Sequence, residues 1–238
     1  DLSSLRTLGG GGGPRPAEHV KALDKNFKGR PGIGYGLTET NALGTMGAGD
    51  EYINNPSSAG RVVPPLTEIK IIDENWQELP EGKIGEVAIR SQSNMKGYWR
   101  NDDATAECIN SEGWFKSGDL GKFDGPFLYI LDRLKDMVIR GGENIACPEV
   151  EGAIYEHPDV LEASVFGIPD ERLGEILCSS ICLREGSKLS VELLNEFLSD
   201  KLAAFKIPVK IKFTYNPLPK IASGKFDKPT MRQNFIEE

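Results

Sequence analysis

The chain has 238 residues, 39% hydrophobic and 27% charged, with a formal net charge of −8. That composition supports a folded core over a disordered tail. The charge argues against a nucleic-acid partner held by phosphate contacts, yet leaves room for a small anionic ligand bound by local lysines and backbone N–H groups. No apolar run reaches the length of a membrane span, and nothing at the start reads as a signal peptide. The chain opens at Asp1 and runs straight into Leu-Ser-Ser-Leu-Arg-Thr-Leu, which reads as the middle of a domain and predicts a longer parent.

To about Thr40, a glycine run, a helix over Pro16 to Phe27 and a glycine-flanked turn are expected. From Gly60 to Ile130, short apolar runs (Glu68–Ile72, Gly85–Arg90, Phe127–Leu131) alternate with Gly, Pro, Asn and Asp, which predicts a small barrel or bent sheet. The charged tract Asp132–Asp136 reads as a linker, giving two domains, 1–131 and 132–238. Beyond it, Met137–Arg140 is a predicted strand, and Pro148 suits the first turn of a helix through Val150, Ile154 and Tyr155. Leu161–Ile168, Ile176–Leu183 and Val209–Thr214 read as strands. Ser190 is an expected N-cap for a helix carrying Leu193, Leu194, Phe197 and Leu202. Strand, helix, strand, strand, helix, strand describes a compact α+β domain.

Cys178 and Cys182 lie four apart in an apolar run, on one face if it is a strand. Cys108 and Cys147 and the two histidines, His19 and His157, are not at metal-like spacing from them, so buried reduced thiols are the better reading than a zinc site.

Taken one at a time, the motifs leave two readings open. Gly9–Gly13 permits close approach of a ligand, or is a flexible turn. In Tyr35-Gly36-Leu37-Thr38-Glu39-Thr40 the hydroxyl could meet a phosphate oxygen and the carboxylate could hold Mg²⁺; a solvated loop has the same residues. In Ser117-Gly118-Asp119-Leu120-Gly121 the acid could accept both hydroxyls of a ribose, or cap its own turn. Gly141-Gly142 permits a close approach, with Glu143 and Asn144 beside it as ligand contacts or ordinary turn residues. Pro219–Lys225 ends in a lysine that is either solvated or able to reach into a cleft.

Together and in this order, the glycine-rich segment ending at Pro14, YGLTET, SGDLG, DRLKDMVIRGGENIACPEVE and PKIASGK resemble the adenylate-forming superfamily, over Leu5 to Phe235. The GGENI and ACPEVE forms resemble its acyl-CoA synthetases more than its carrier-loading domains; the alternatives are a non-catalytic fragment, or a carrier-loading or luciferase-like enzyme. The resemblance implies the end of the large adenylate-forming domain, with a small β-rich, barrel-like subdomain, followed by a small mobile α+β lid. It implies that ATP and a carboxylic acid, expected to be a fatty acid, give an acyl-adenylate, which CoA converts to a thioester. Thr38 would then contact the α-phosphate and Glu39 hold Mg²⁺. Asp119 would bind the ribose hydroxyls with help from Arg133, Tyr35 would border the adenine, and Gly11 would line the nucleotide and acyl pockets. Lys225 would be the catalytic lysine of the first step and Lys135 the hinge, with Gly141, Gly142 and Glu143 helping to form the CoA channel. A cytoplasmic enzyme is expected, with peripheral membrane association open to a long-chain member. Ser117 departs from the family's usual Thr, and Phe226-Asp227-Lys228 departs from its usual two aliphatics and Arg. The family's phosphate loop is not in this sequence, so the chain alone is expected to be inactive.

Overall fold

A computed structural model describes residues 4–13 and 15–237; Pro14, which closes the glycine-rich segment, lies outside them. The chain divides into two compact units, one ending at Leu134 and the other beginning at Lys135.

The first unit holds β1 (Thr7–Leu8), α1 (Ala17–Asn26), β2 (Arg30–Tyr35), a 3-10 turn (Thr38–Thr40), β3 (Thr45–Ala48), α2 (Asp50–Asn54), β4 (Gly60–Val62), β5 (Thr67–Ile72), β6 (Gly85–Ser91), α3 (Asp102–Cys108), β7 (Phe115–Asp124) and β8 (Phe127–Arg133). Its eight strands form one sheet in the order β1-β2-β3-β4-β8-β7-β6-β5. Alternation along β5 and β6 sends Ile71, Val87 and Ile89 to one face, where they pack with Leu128 and with the partly buried Tyr35 and Leu37. Ile72, Ala88 and Trp114 form a second cluster. The glycine run extends the sheet: β1 pairs in parallel with β2, and Gly11 bridges Gly34. A Cβ on Gly11 would stand 2.9 Å from the Gly34 carbonyl oxygen, so glycine is what lets these strands close up.

Two expectations change here. Asp132 and Arg133 belong to β8, paired with Leu120 and Asp119 of β7, so the charged tract is half strand and not all linker. The SGDLG stretch is the middle of β7 and not a turn, with a bulge at Leu120/Gly121. Cross-strand pairing supplied what its glycines, read locally, concealed.

The second unit holds β9 (Val138–Arg140), β10 (Glu143–Ile145), α4 (Cys147–Tyr155), β11 (Val160–Asp170), β12 (Gly174–Leu183), α5 (Val191–Ser199), β13 (Lys210–Thr214) and α6 (Lys228–Ile236). β12 runs antiparallel to β11 and parallel to β13. Both faces of this sheet are covered, so β11 and β12 are apolar almost throughout. One face packs Val165, Leu177 and Ile181 against Val150 and Ile154 of α4 and Leu194 and Leu198 of α5. The other packs Phe166, Cys178 and Cys182 against Met231 and Phe235 of α6. Cys178 and Cys182 thus share one face as reduced, buried thiols. Ser190 caps α5 by accepting the Leu193 N–H, but the helix stops at Ser199, short of Leu202. The sequence reading missed β10 and α6. The first pairs across a two-residue turn, and the second carries only a short apolar stripe behind its Asp227 cap.

Candidate active site

In the first unit the end of β2 meets the middle of β7. Tyr35 Oη donates to Asp119 Oδ2 at 2.7 Å, and Arg133 Nε of β8 donates to Asp119 Oδ1 at 3.1 Å. The Asp119 carboxylate is nearly buried, with 7% of its side chain exposed against 43% for Arg133. A buried carboxylate needs such donors, and the cross-strand pair Asp119–Arg133 supplies one by register. Burial, reinforced by the adjacent Asp119 charge, raises the Tyr35 phenol well above its ordinary value, so it stays a neutral donor. Next door, Glu86 accepts the Gly118 N–H at 2.9 Å and pins the backbone of the Asp119 bulge. Burial lifts the Glu86 carboxyl, while that N–H pulls the other way.

The turn after β2 carries Thr38 and Glu39. Gly36 is obligatory there: a Cβ would lie 2.4 Å from the Ala42 carbonyl carbon and 2.9 Å from the Leu43 nitrogen. The residues following β6 hold the turn in place. Met95 N–H donates to the Glu39 carbonyl at 2.7 Å, and Ser93 Oγ to the Thr40 carbonyl at 2.9 Å. Tyr98 Oη donates to Glu39 Oε1 at 3.0 Å. Desolvation, together with this carboxylate, pushes the Tyr98 phenol up to about 12. Thr38 is exposed and Glu39 half-buried. Both offer hard oxygen atoms, the donor type Mg²⁺ takes beside a nucleotide.

In the second unit Gly141 and Gly142 form the two-residue turn between β9 and β10, closed by the Arg140–Glu143 pair. Their φ values of 59° and 89° suit a tight primed turn, which glycine adopts without strain. A Cβ on Gly142 would meet nothing within 4 Å, so the tip is open to a ligand. Lys225 stands on a different loop. Its carbonyl accepts the Ile221 N–H at 2.9 Å, and Pro219 accepts the Asp227 N–H at 2.9 Å. Glu162 of β11 anchors the stem by accepting the Leu218 N–H and the Lys220 ammonium. The Lys225 side chain is exposed and makes no ion pair among the described residues. Lys135 is exposed in the turn at the junction of the units.

The structure therefore brings together Tyr35, Asp119 and Arg133, with Thr38 and Glu39 on the adjoining turn and Gly11 on the same sheet. Tyr98 and Glu162 went unseen in the sequence. Each is an ordinary residue lying 59 or 56 positions from its partner, with no local spacing to flag it.

Known proteins resemble this chain in sequence and fold. The AMP-binding enzyme family matches residues 1–99, and the AMP-binding enzyme C-terminal domain matches residues 149–225. The chain belongs to this adenylate-forming family. Among its relatives, YngI of Bacillus subtilis (strain 168), provisionally named an acyl-CoA synthetase, is 40% identical over 100% of the chain and 44% of its own length. Feruloyl-CoA synthase of Amycolatopsis sp is 37% identical over 99% of the chain and 47% of its length. The amide bond synthetase McbA of Marinactinospora thermotolerans superposes with a TM-score of 0.89, at 33% identity over 99% of this chain and 48% of that one. The chain thus spans about half the length of these adenylate-forming relatives. No helix among its described residues is long and apolar enough to cross a membrane.

Proposed function

We propose that the chain is the carboxyl-terminal half of an AMP-forming acid–CoA ligase. The observation that carries the reading is the nearly buried Asp119 carboxylate, fixed by Tyr35 and Arg133 on the sheet that also presents Thr38 and Glu39. A carboxylate accepts only, so one held this rigidly is suited to the paired hydroxyls of a ribose. Tyr35 borders the adenine and holds Asp119, and Gly11 lines the nucleotide pocket. Thr38 donates to the α-phosphate, and Glu39 supplies an oxygen ligand for Mg²⁺, which when bound offsets phosphate charge.

The chemistry asks two anions to meet: a substrate carboxylate and the α-phosphate. Lys225 places its ammonium between them and holds the negative charge that develops as the carboxylate attacks and pyrophosphate leaves. The unpaired, exposed state of Lys225 supports that role, since no internal carboxylate has to be given up. Lys135 serves as the hinge about which the second unit turns between half-reactions. The open tip at Gly141, Gly142 and Glu143 then flanks the pantetheine arm of CoA, whose thiol displaces AMP.

For the acid, an aliphatic acyl group follows the medium-chain acyl-CoA ligase of Danio rerio, 37% identical over 98% of this chain; the feruloyl-CoA relatives make an aromatic acid the second arm. The likeness to an amide bond synthetase favours one further reading, in which an amine and not CoA consumes the adenylate.

The test is product analysis of the full-length enzyme with ATP, Mg²⁺, CoA and a panel of aliphatic and aromatic acids. AMP, pyrophosphate and loss of CoA thiol in equal amounts are expected. ADP as the product overturns the adenylation reading. AMP with the thiol untouched, and an amide formed when an amine is present, overturns the CoA step.

A further inference from the structure

Resting on the reading of Glu39 as the metal-bearing carboxylate, we propose that Tyr98 is its positioning residue, setting the plane of the Glu39 carboxylate for a divalent cation. The segment after β6 holds Glu39 at both ends: Met95 N–H takes its carbonyl at 2.7 Å, and Tyr98 Oη takes Oε1 at 3.0 Å. Oε2 has no donor among the described residues, and Glu39 makes no ion pair there. One oxygen is therefore fixed by a neutral phenol and the other is left for a cation. A Lys or Arg in Tyr98's place would fix the same oxygen but cancel the charge that a metal needs.

Tyr98 is itself held. Its N–H donates to Thr105 Oγ1 at 2.9 Å, and that hydroxyl donates to the Asn101 carbonyl at 2.9 Å. Asn101 in turn caps α3 through the Ala104 N–H. Gly97 lets the segment lie against α3, since a Cβ there would meet Thr105 Cγ2 at 2.8 Å. A capped helix thus holds the phenol, and the phenol holds the carboxylate. Partners behind a metal ligand commonly change metal affinity by about 10-fold or more when removed.

The test is Mn²⁺ binding to the full-length enzyme with a non-hydrolysable ATP analogue, followed by electron paramagnetic resonance. Tyr98→Phe keeps the ring and removes only the donor. It is expected to weaken Mn²⁺ about 3- to 10-fold, to raise the Mg²⁺ concentration for half-maximal adenylation in step, and to leave the KM for the acid unchanged. In a cycle with Glu39→Gln the two effects should not add. Unchanged Mn²⁺ affinity in Tyr98→Phe, or full additivity with Glu39→Gln, overturns the proposal. If Glu39→Gln itself leaves Mn²⁺ affinity unchanged, the metal reading of Glu39 fails instead. Should Tyr98→Phe not fold, Thr105→Ala, which releases the Tyr98 backbone, is expected to shift Mn²⁺ affinity in the same direction, and no shift overturns the proposal.

Discussion

Tyr35 shows how one side chain serves both the fold and the site. Its ring packs on the cluster of Ile71, Val87, Ile89 and Leu128, while its hydroxyl donates to Asp119. Loss of that donor leaves a nearly buried carboxylate short of a partner, so Tyr35→Phe should cost about 1–3 kcal/mol. Burial beside a carboxylate raises the folded phenol, so its contribution is complete below the unfolded tyrosine value of about 10 and is lost as pH rises beyond it. Urea unfolding of wild type and Tyr35→Phe between neutral and alkaline pH should show a gap that is constant at first and narrows above pH 10. A gap of the same size throughout would remove the hydrogen bond from the account. The other tyrosines are common to both proteins and cancel.

Among elements, the turn after β2 depends on shape and the β9–β10 turn on dihedral freedom, and the two separate by mutation. Gly36→Ala drives a Cβ into the backbone of Ala42 and Leu43, so the turn bearing Thr38 and Glu39 must shift. We expect a loss of about 2 kcal/mol or more, with a matching loss of adenylation. Gly142→Ala meets open space and pays only for its φ of 89°, about 1–2 kcal/mol, with adenylation kept. Equal effects of the two on adenylation would show that the first turn tolerates displacement. Strands β9, β11, β12 and β13 of the second unit and the cap at Ser190 could be read from the sequence because their signals are local: apolar runs of strand length, and a hydroxyl ahead of a periodic stripe. The strand through Asp119 could not, because glycines at a bulge look like glycines in a turn until the partner strand is known. Tyr98 and Glu162 were invisible for the same reason, as each acts on a residue more than fifty positions away.

At the scale of the molecule, each unit has its own apolar core: Ile71, Val87, Ile89 and Leu128 in the first, and the two clusters flanking β11 and β12 in the second. Because neither core is shared between the units, the proposed turn about Lys135 would leave both cores intact. The proposed roles divide accordingly, with nucleotide contacts in the first unit and Lys225 and the CoA-facing turn in the second. The chain spans about half of its relatives, 44% of YngI and 47% of feruloyl-CoA synthase. On its own, without the family's phosphate loop, it is expected to leave ATP–pyrophosphate exchange at background with any acid. Lys225 is proposed to drive adenylation and not thioester formation. That role is tested most directly by ATP–pyrophosphate exchange in full-length wild type and Lys225→Ala, with CoA transfer from synthetic acyl-adenylate measured on the same samples. Exchange is expected to fall by about 100-fold or more while transfer from the adenylate stays within a few-fold of wild type. Exchange at the wild-type rate in Lys225→Ala would contradict that role.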